Sequence, residues 1–406
     1  MISSETAAKP HIKKRTIGTY ATNKAGPVVI FVVGLHGNEP AGIVALKAVL
    51  DQLNILKPTF KGSLIGLAGN ITALERKERF IDEDMNRNWD SYLAEVYPTH
   101  DALSKHAEDT ERRALTKELT RIISGTKENV FLCDLHTTSS ESVPFISIND
   151  TLRNREFVKN IPSPIILGLA EQIKGTLNGA FNDLGIASVL FESGQHDDLS
   201  SIENHEAFIW LILEQLGCIN PVEIPKFHKY REILGRLALD GRKIYEVFFR
   251  HGIDTSDHFK MEPGFVNFQK IKKGTRLAHD KNGAIKAFKN GRLFMPLYQG
   301  KGDDGFFLIR GISPFWLKVS ERLRKLKFDK YLHWLPGVRK DQSTPNTFII
   351  DRKIALFYSL QIFHLMGYRK KEVKKGRLFV SRLPYDDETP SNEEIIKNFD
   401  YLTSRS

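Results

Sequence analysis

The chain has 406 residues, 41% apolar and 27% charged, with a formal net charge of +10. This is ordinary globular composition, which excludes long disorder and a collagen-like repeat, and two cysteines, Cys133 and Cys218, are too few for a disulfide scaffold. At about 150 residues per domain, the length predicts two or three domains.

The opening MISSETAAKPHIKKR is basic without an apolar run, so no secretory leader is read in it. The longest apolar stretches, PVVIFVVGL from Pro27 and IALFYSLQIFHLM from Ile354, fall short of the roughly 18–20 residues of a membrane span. A cytoplasmic protein with no membrane partner is expected. VVIFVVG at 28–34 reads as a strand buried on both faces, followed by HGNEP and a helix in AGIVALKAVLDQL with Pro40 near its first turn. SLIGLAGN from Ser63 is a second strand, and 106–124 an amphipathic helix with an acidic start. VFLCDLH from Val130, PIILG from Pro164 and ASVLFES from Ala187 are further strands, and EAFIWLILEQLG from Glu206 a core helix ending at Gly217. Strands alternating with helices predict an α/β fold, a mixed sheet flanked by helices.

The texture changes after Pro221 and Pro225. Closely spaced turn signals (EPGF, KKGT, DKNG, KNGR, GKGDDG) predict a small all-β module. From Ser313 the chain reads as basic and mainly helical, with a polar tail expected to fray after Pro384. The domains are therefore expected as 1–221, an α/β catalytic unit; 222–312, a β module shaping the site entrance; and 313–406, a basic extension. Residues 1–220 hold 22 Lys+Arg against 28 Asp+Glu, net −6, and residues 221–406 hold 37 against 21, net +16. The basic half is interspersed with acids and lacks an aromatic-basic nucleic-acid motif, so it is read as solvated surface and no nucleic-acid partner is expected.

Four segments carry candidate chemistry. In GLHGNEP, His36 and Glu39 are three apart around Gly37, and an imidazole with a carboxylate suits a borderline metal such as zinc. In CDLHTTSS the two-residue strand period puts Asp134 and His136 on one face, so His136 is a third ligand candidate and Asp134 a carboxylate to steady a ligand imidazole. Three such ligands leave the fourth zinc position open, the pattern of a catalytic site. RFIDEDMNRNW offers Arg79, Asn86 and Arg87 to hold an anionic substrate and stabilise an oxyanion. VLFESGQHDD places Glu192 at the end of an apolar strand as a general-base candidate. Each segment alone has a plainer reading: a surface pair, a capping acid, a charged loop, a solvated carboxylate. Their joint order is what favours a site.

HGNEPAG, RFIDEDMNRNW, DLHTTSS and FES together resemble the succinylglutamate desuccinylase/aspartoacylase family, of zinc-carboxypeptidase-like fold, over roughly residues 27–312. The resemblance implies a single Zn2+ on His36, Glu39 and His136; Glu192 as acid/base; Arg79 beside the attacked carbonyl; Asn86 with Arg87 on the substrate carboxylate; and Asp134 behind a zinc imidazole. It implies a hydrolase cleaving the amide of a small anionic N-acyl amino acid. A carboxypeptidase-type enzyme acting on short peptides, and an inactive binding or membrane-surface protein suggested by the 354–366 stretch between DRK and YRKKEVKK, are the alternatives. Two departures stand out. The aspartoacylase branch has a substrate-binding arginine where this chain has Asn182, so the pocket is expected not to take aspartate, or to recruit Arg153 or Arg155 instead. From SPFWLKVSERLRK onward no counterpart is recognised.

Overall fold

The computed structural model describes residues 14–93, 106–169, 172–173, 175–236, 244–299, 302–351, 358–374 and 377–403. The first eight strands are β1 (Thr16–Ala21), β2 (Val28–Val33), β3 (Ser63–Ala68), β4 (Val130–Thr138), β5 (Phe145–Ile148), β6 (Ile165–Leu167), β7 (Ala187–Gln195) and β8 (Ile244–Gly252). They are followed by β9 (Lys260–Met261), β10 (Lys270–Ile271), β11 (Arg276–Asp280), β12 (Gly283–Lys286), β13 (Gly291–Phe294) and β14 (Asp304–Gly311), then β15 (Val338–Lys340), β16 (Thr347–Ile350), β17 (Lys370–Lys374) and β18 (Arg377–Ser381). An eleven-stranded mixed sheet runs β1-β3-β2-β4-β7-β5-β6-β8-β14-β13-β10, beside a three-stranded sheet β12-β11-β9 and a four-stranded sheet β15-β16-β18-β17.

The continuous apolar run of β2 has a direct explanation. Val29, Phe31 and Val33 join the core under helices Ala41–Leu56 and Ser200–Gln215, while Val28, Ile30 and Val32 face Leu115, Leu119 and Ile122 of helix Ala107–Ser124 on the other side. A strand buried on both faces has no polar positions to alternate with. β2 pairs in parallel with both β3 and β4. The chain thus leaves β2 toward one neighbour and later returns to the other, which opens a crevice at the carboxyl ends of these strands.

Helix Ser200–Gln215 starts six residues before the apolar stretch that signals it. Its first turn is polar because it docks on main chain: Ser201 donates to the Gln195 carbonyl at 2.8 Å and Asn204 to that of Ser193 at 2.7 Å. The sheet runs on past residue 221, since β8, β14, β13 and β10 extend it. Helices Pro314–Lys325, Tyr358–Leu365 and Asn392–Thr403 occupy the basic extension as expected, together with β15–β18, four short strands that the sequence does not announce. Residues 354–357 of the amphipathic-looking 354–366 stretch lie outside the described residues; Phe363 and Met366 are fully buried in the core of the extension.

Among the described residues the tail after Pro384 is ordered through Thr403. Helix Asn392–Thr403 buries Ile395 and Phe399, one turn apart, against the core around Ile122. The extension is also pinned electrostatically, with Asp150 just beyond β5 taking Arg155 at 2.6 Å, Arg324 at 3.0 Å and Arg369. Burial would raise the Asp150 carboxyl, but these three guanidiniums hold it well below the usual range. Cys133 and Cys218 are buried free thiols, and among the described residues no helix is long and apolar enough to cross a membrane.

Candidate active site

The loop after β2 brings His36 and Glu39 to the crevice. Gly37 is there for space: a Cβ at this position would lie 2.0 Å from the Ala73 carbonyl oxygen and 2.5 Å from that of Glu78. That contact docks the loop on the segment leading to Arg79, whose carbonyl accepts the Gly37 N–H at 3.3 Å. β4 supplies His136 from the opposite side, and in register beside it on β7 stands Glu192.

His36, Glu39 and His136 are all buried, and their ligand atoms lie within 4.8 Å of one another. Glu39 is the hub, with Oε1 2.8 Å from His36 Nδ1 and Oε2 3.1 Å from His136 Nδ1, the latter oxygen also accepting the Thr137 N–H at 2.9 Å. Each imidazole therefore turns Nδ1 inward and Nε2 outward. The outer nitrogens meet carboxylates, Asp84 at 2.9 Å from His36 and Asp134 at 2.9 Å from His136, the arrangement that fixes the tautomer of metal-bound histidines. Burial would raise the Glu39 carboxyl and lower the His136 imidazolium, but the neighbours win in both cases. His36 and His136 hold Glu39 well below its ordinary value, and Asp134 with Glu39 holds His136 well above its own.

Helix Ala107–Ser124 positions the loop that carries Arg79, Asn86 and Arg87. Its buried Glu108 accepts the backbone N–H groups of Ile81, Asp82 and Glu83, and Arg112 donates to the carbonyls of Asp84 and Arg87. The three consecutive acids of this loop have three fates: Asp82 accepts the Ala107 N–H, Glu83 pairs with Arg112, and Asp84 turns inward. Arg79 reaches Asp84 at 2.9 Å and Glu39 at 3.5 Å. Asn86 accepts the Leu177 N–H at 2.9 Å and sets its amide nitrogen 3.4 Å from His136 Nε2. Arg87 pairs with Asp304 at 3.2 Å, an acid it shares with Arg250.

Glu192 is buried, and its Oε2 has no hydrogen-bond partner among the described residues. Burial pushes its carboxyl up to about 8. Four buried or nearly buried carboxyl groups (Glu39, Asp84, Asp134 and Glu192) thus gather around two imidazoles, with Arg79 beside Glu39 and Asp84. This excess of acid around two inward Nδ1 atoms fits a divalent cation of the zinc type.

All eight expected site residues come together except that Asp134 sits behind His136, away from the pocket lining. The pocket has a volume of about 100 Å3 and is also lined by Met295, Leu297 and Asp304 from the β8–β14 region. Met295 adopts φ +48°, held by its N–H to Asn267 Oδ1 at 2.9 Å, a strained backbone at the rim of the site. Neither Arg153 nor Arg155 lines this pocket: Arg153 donates to Asn182 and Gly185, and Arg155 pairs with Asp150. Sequence reasoning missed Asp84, Asp304, Met295 and His196, whose Nδ1 lies 2.7 Å from Thr137 Oγ1.

Residues 25–208 match the succinylglutamate desuccinylase/aspartoacylase catalytic domain. The chain is 24% identical to the succinylglutamate desuccinylase of Pseudomonas aeruginosa over 278 residues, 64% of this chain and 75% of that one. Among solved structures it is similar to a succinylglutamate desuccinylase/aspartoacylase from Rhodobacter sphaeroides at 16% identity and TM-score 0.53, covering 72% of this chain and 88% of the other. It is similar to a point mutant of murine aminoacylase 3 at 14% identity and TM-score 0.50, covering 72% and 96%. At such identities the structural likeness bears on the fold alone.

Proposed function

From the premise that this chain belongs to the succinylglutamate desuccinylase/aspartoacylase family through residues 25–208, we propose that it is a zinc-dependent hydrolase of the amide bond in small N-acyl amino acids. The observation that carries this reading is the convergence of His36, Glu39 and His136 beside a buried Glu192 whose Oε2 has no hydrogen-bond partner among the described residues. The first three would hold one ion, with Asp84 and Asp134 steadying the imidazoles. Bound there, zinc supplies a Lewis acid for the carbonyl and a lowered pKa for water.

The remaining steps belong to the protein. Glu192, whose burial raises it to about 8 while the positive charge of His136 and Arg79 favours its carboxylate, acts in that ionised form, taking the proton of the attacking water and delivering it to the leaving amine. Arg79 lies beside the oxyanion that forms, its position fixed by Asp84. Asn86 and Arg87 hold the substrate carboxylate so that its scissile carbonyl meets the attacking water, which is a positioning effect. Met295 and Leu297 wall the entrance of the pocket, which favours a small acyl amino acid over an extended peptide. We further propose residues 1–221 as the catalytic unit, 222–312 as the module shaping its entrance and 313–406 as an extension with its own role.

Metal analysis of the purified protein, with a hydrolysis panel of N-acetyl and N-succinyl amino acids beside short peptides, tests the reading. Stoichiometric zinc and turnover of the acylated amino acids are expected. Faster turnover of peptides, or no turnover with zinc bound, would overturn it.

A further inference from the structure

The extension carries a surface that the hydrolase reading leaves unused. Residues Phe328–Trp334 form a 3-10 helix, whose three-residue turn stacks side chains at i, i+3 and i+6 on one line. Phe328, Tyr331 and Trp334 occupy that line, with ring centroids 5.3 and 5.0 Å apart in succession. All three are exposed, Trp334 at 72%, while Leu332 points inward as the anchor. Leu326 precedes them at 74% exposure, and helix Pro314–Lys325 opens with an exposed pair, Phe315 and Trp316. Folding has therefore left an aromatic row outside even though an apolar core lies directly beneath it.

The polar residues around this row are cationic. Lys318, Arg322, Lys325, Lys327, Lys330, Arg339 and Lys340 are exposed; of the acids nearby, Glu321 is paired with Lys325 and Asp329 with Arg382. Lysine is depleted from the centres of protein–protein interfaces, whereas tryptophan and tyrosine interleaved with lysine and arginine are the chemistry of a bilayer surface. Rings enter the headgroup region and the cations meet anionic lipid. We propose that residues 314–340 dock this protein peripherally on an anionic membrane surface. Short apolar runs argue against a span, but a surface attachment needs none, so the expectation of no membrane partner does not extend to it.

The full-length protein is to be sedimented with phosphatidylcholine vesicles and with vesicles containing 30% phosphatidylglycerol. Binding to the anionic vesicles only, reversed by 0.5 M NaCl, is the expected result. Two of the four tryptophans, Trp89 and Trp210, are fully buried, so a blue shift of emission on vesicle addition reports Trp316 and Trp334. The W316A/W334A variant is expected to abolish the shift and lower partitioning by about tenfold or more, and K327E/K330E to do likewise through charge. Both leave the catalytic site intact, so retained hydrolysis of a soluble substrate verifies folding. Equal binding to neutral vesicles, no binding at all, or partitioning unmoved by both variants would overturn the proposal. So would concentration-dependent dimerisation that W316A/W334A abolishes without vesicle binding, since the row would then be covered by a second copy.

Discussion

Replacing Asp84 by Asn separates a carboxylate that supports a metal centre from one that merely braces an arginine. One oxygen of Asp84 stands 2.9 Å from His36 Nε2 and accepts the Asn86 N–H at 2.9 Å; the other meets Arg79 at 2.9 Å. Burial would raise its carboxyl, yet His36 and Arg79 hold it well below the usual range, so the charge is strongly engaged. Asparagine keeps the volume and one acceptor, removes the charge, and turns an amide N–H2 toward either the imidazole or the guanidinium. Groups behind metal-binding imidazoles contribute ~10–100-fold to metal affinity, which is ~1.4–2.7 kcal/mol. Burial places Asp84 in the upper part of that range. Competition with a chromophoric chelator gives the zinc Kd directly, and excess zinc should return the variant's Tm to near the wild-type value. A folded D84N protein binding zinc within about twofold of wild type would refute the argument and reduce Asp84 to a brace for Arg79.

Glu192→Gln is expected to retain stoichiometric zinc and lose ~10²–10⁴ in kcat, checked by metal analysis beside initial rates. Arg79→Ala should lower kcat by ~10²–10³, with a smaller effect on KM, measured on the best N-acyl substrate. Zinc-stripped protein should become less stable from pH 7 to 8. Glu192, at about 8, and His136, raised well above its ordinary value, bind protons in the folded state that the unfolded chain has released. Stability from such groups is lost as pH rises through the folded pKa, by roughly 1 kcal/mol over this unit for Glu192 alone. The depressed carboxyls Glu39 and Asp84, and His205, pushed down to about 3 by burial, change their contributions at lower pH. Urea unfolding at the two pH values reads the slope, and a rise would contradict it.

The catalytic sheet was legible because its strands are buried on both faces, and nothing but an uninterrupted apolar run satisfies that environment in β2. His36 and Glu39 were legible because they follow such a strand, and His136 and Glu192 because they lie near the carboxyl ends of two others, β4 and β7, at the crevice. Asp84 was not. In the run Asp82-Glu83-Asp84 only the tertiary clamp of Glu108 and Arg112 decides which acid turns inward. Asp304 and Met295 were hidden for a similar reason, since the register of β8, β14 and β13 brings them to the pocket across more than a hundred residues. In the extension, Ile395 and Phe399 sit in a charge-rich stretch that reads as a loose end, and only the partner surface on helix Ala107–Ser124 makes them core. Gly37 of HGNEP has no positive φ, and what the fold requires there is the absence of a side chain.

Asp150 imposes an order on the making of this molecule. Arg155 follows it at once along the chain, but Arg324 emerges 174 residues later and Arg369 later still. At ~5–20 residues per second on the ribosome, the wait for Arg324 is roughly 10–35 s. Throughout that interval the nascent protein holds an anion whose shelter is two-thirds unbuilt. A message ending after Ile312 would leave it so permanently, yielding a product that contains every reactive group but only one of the three guanidiniums that meet Asp150.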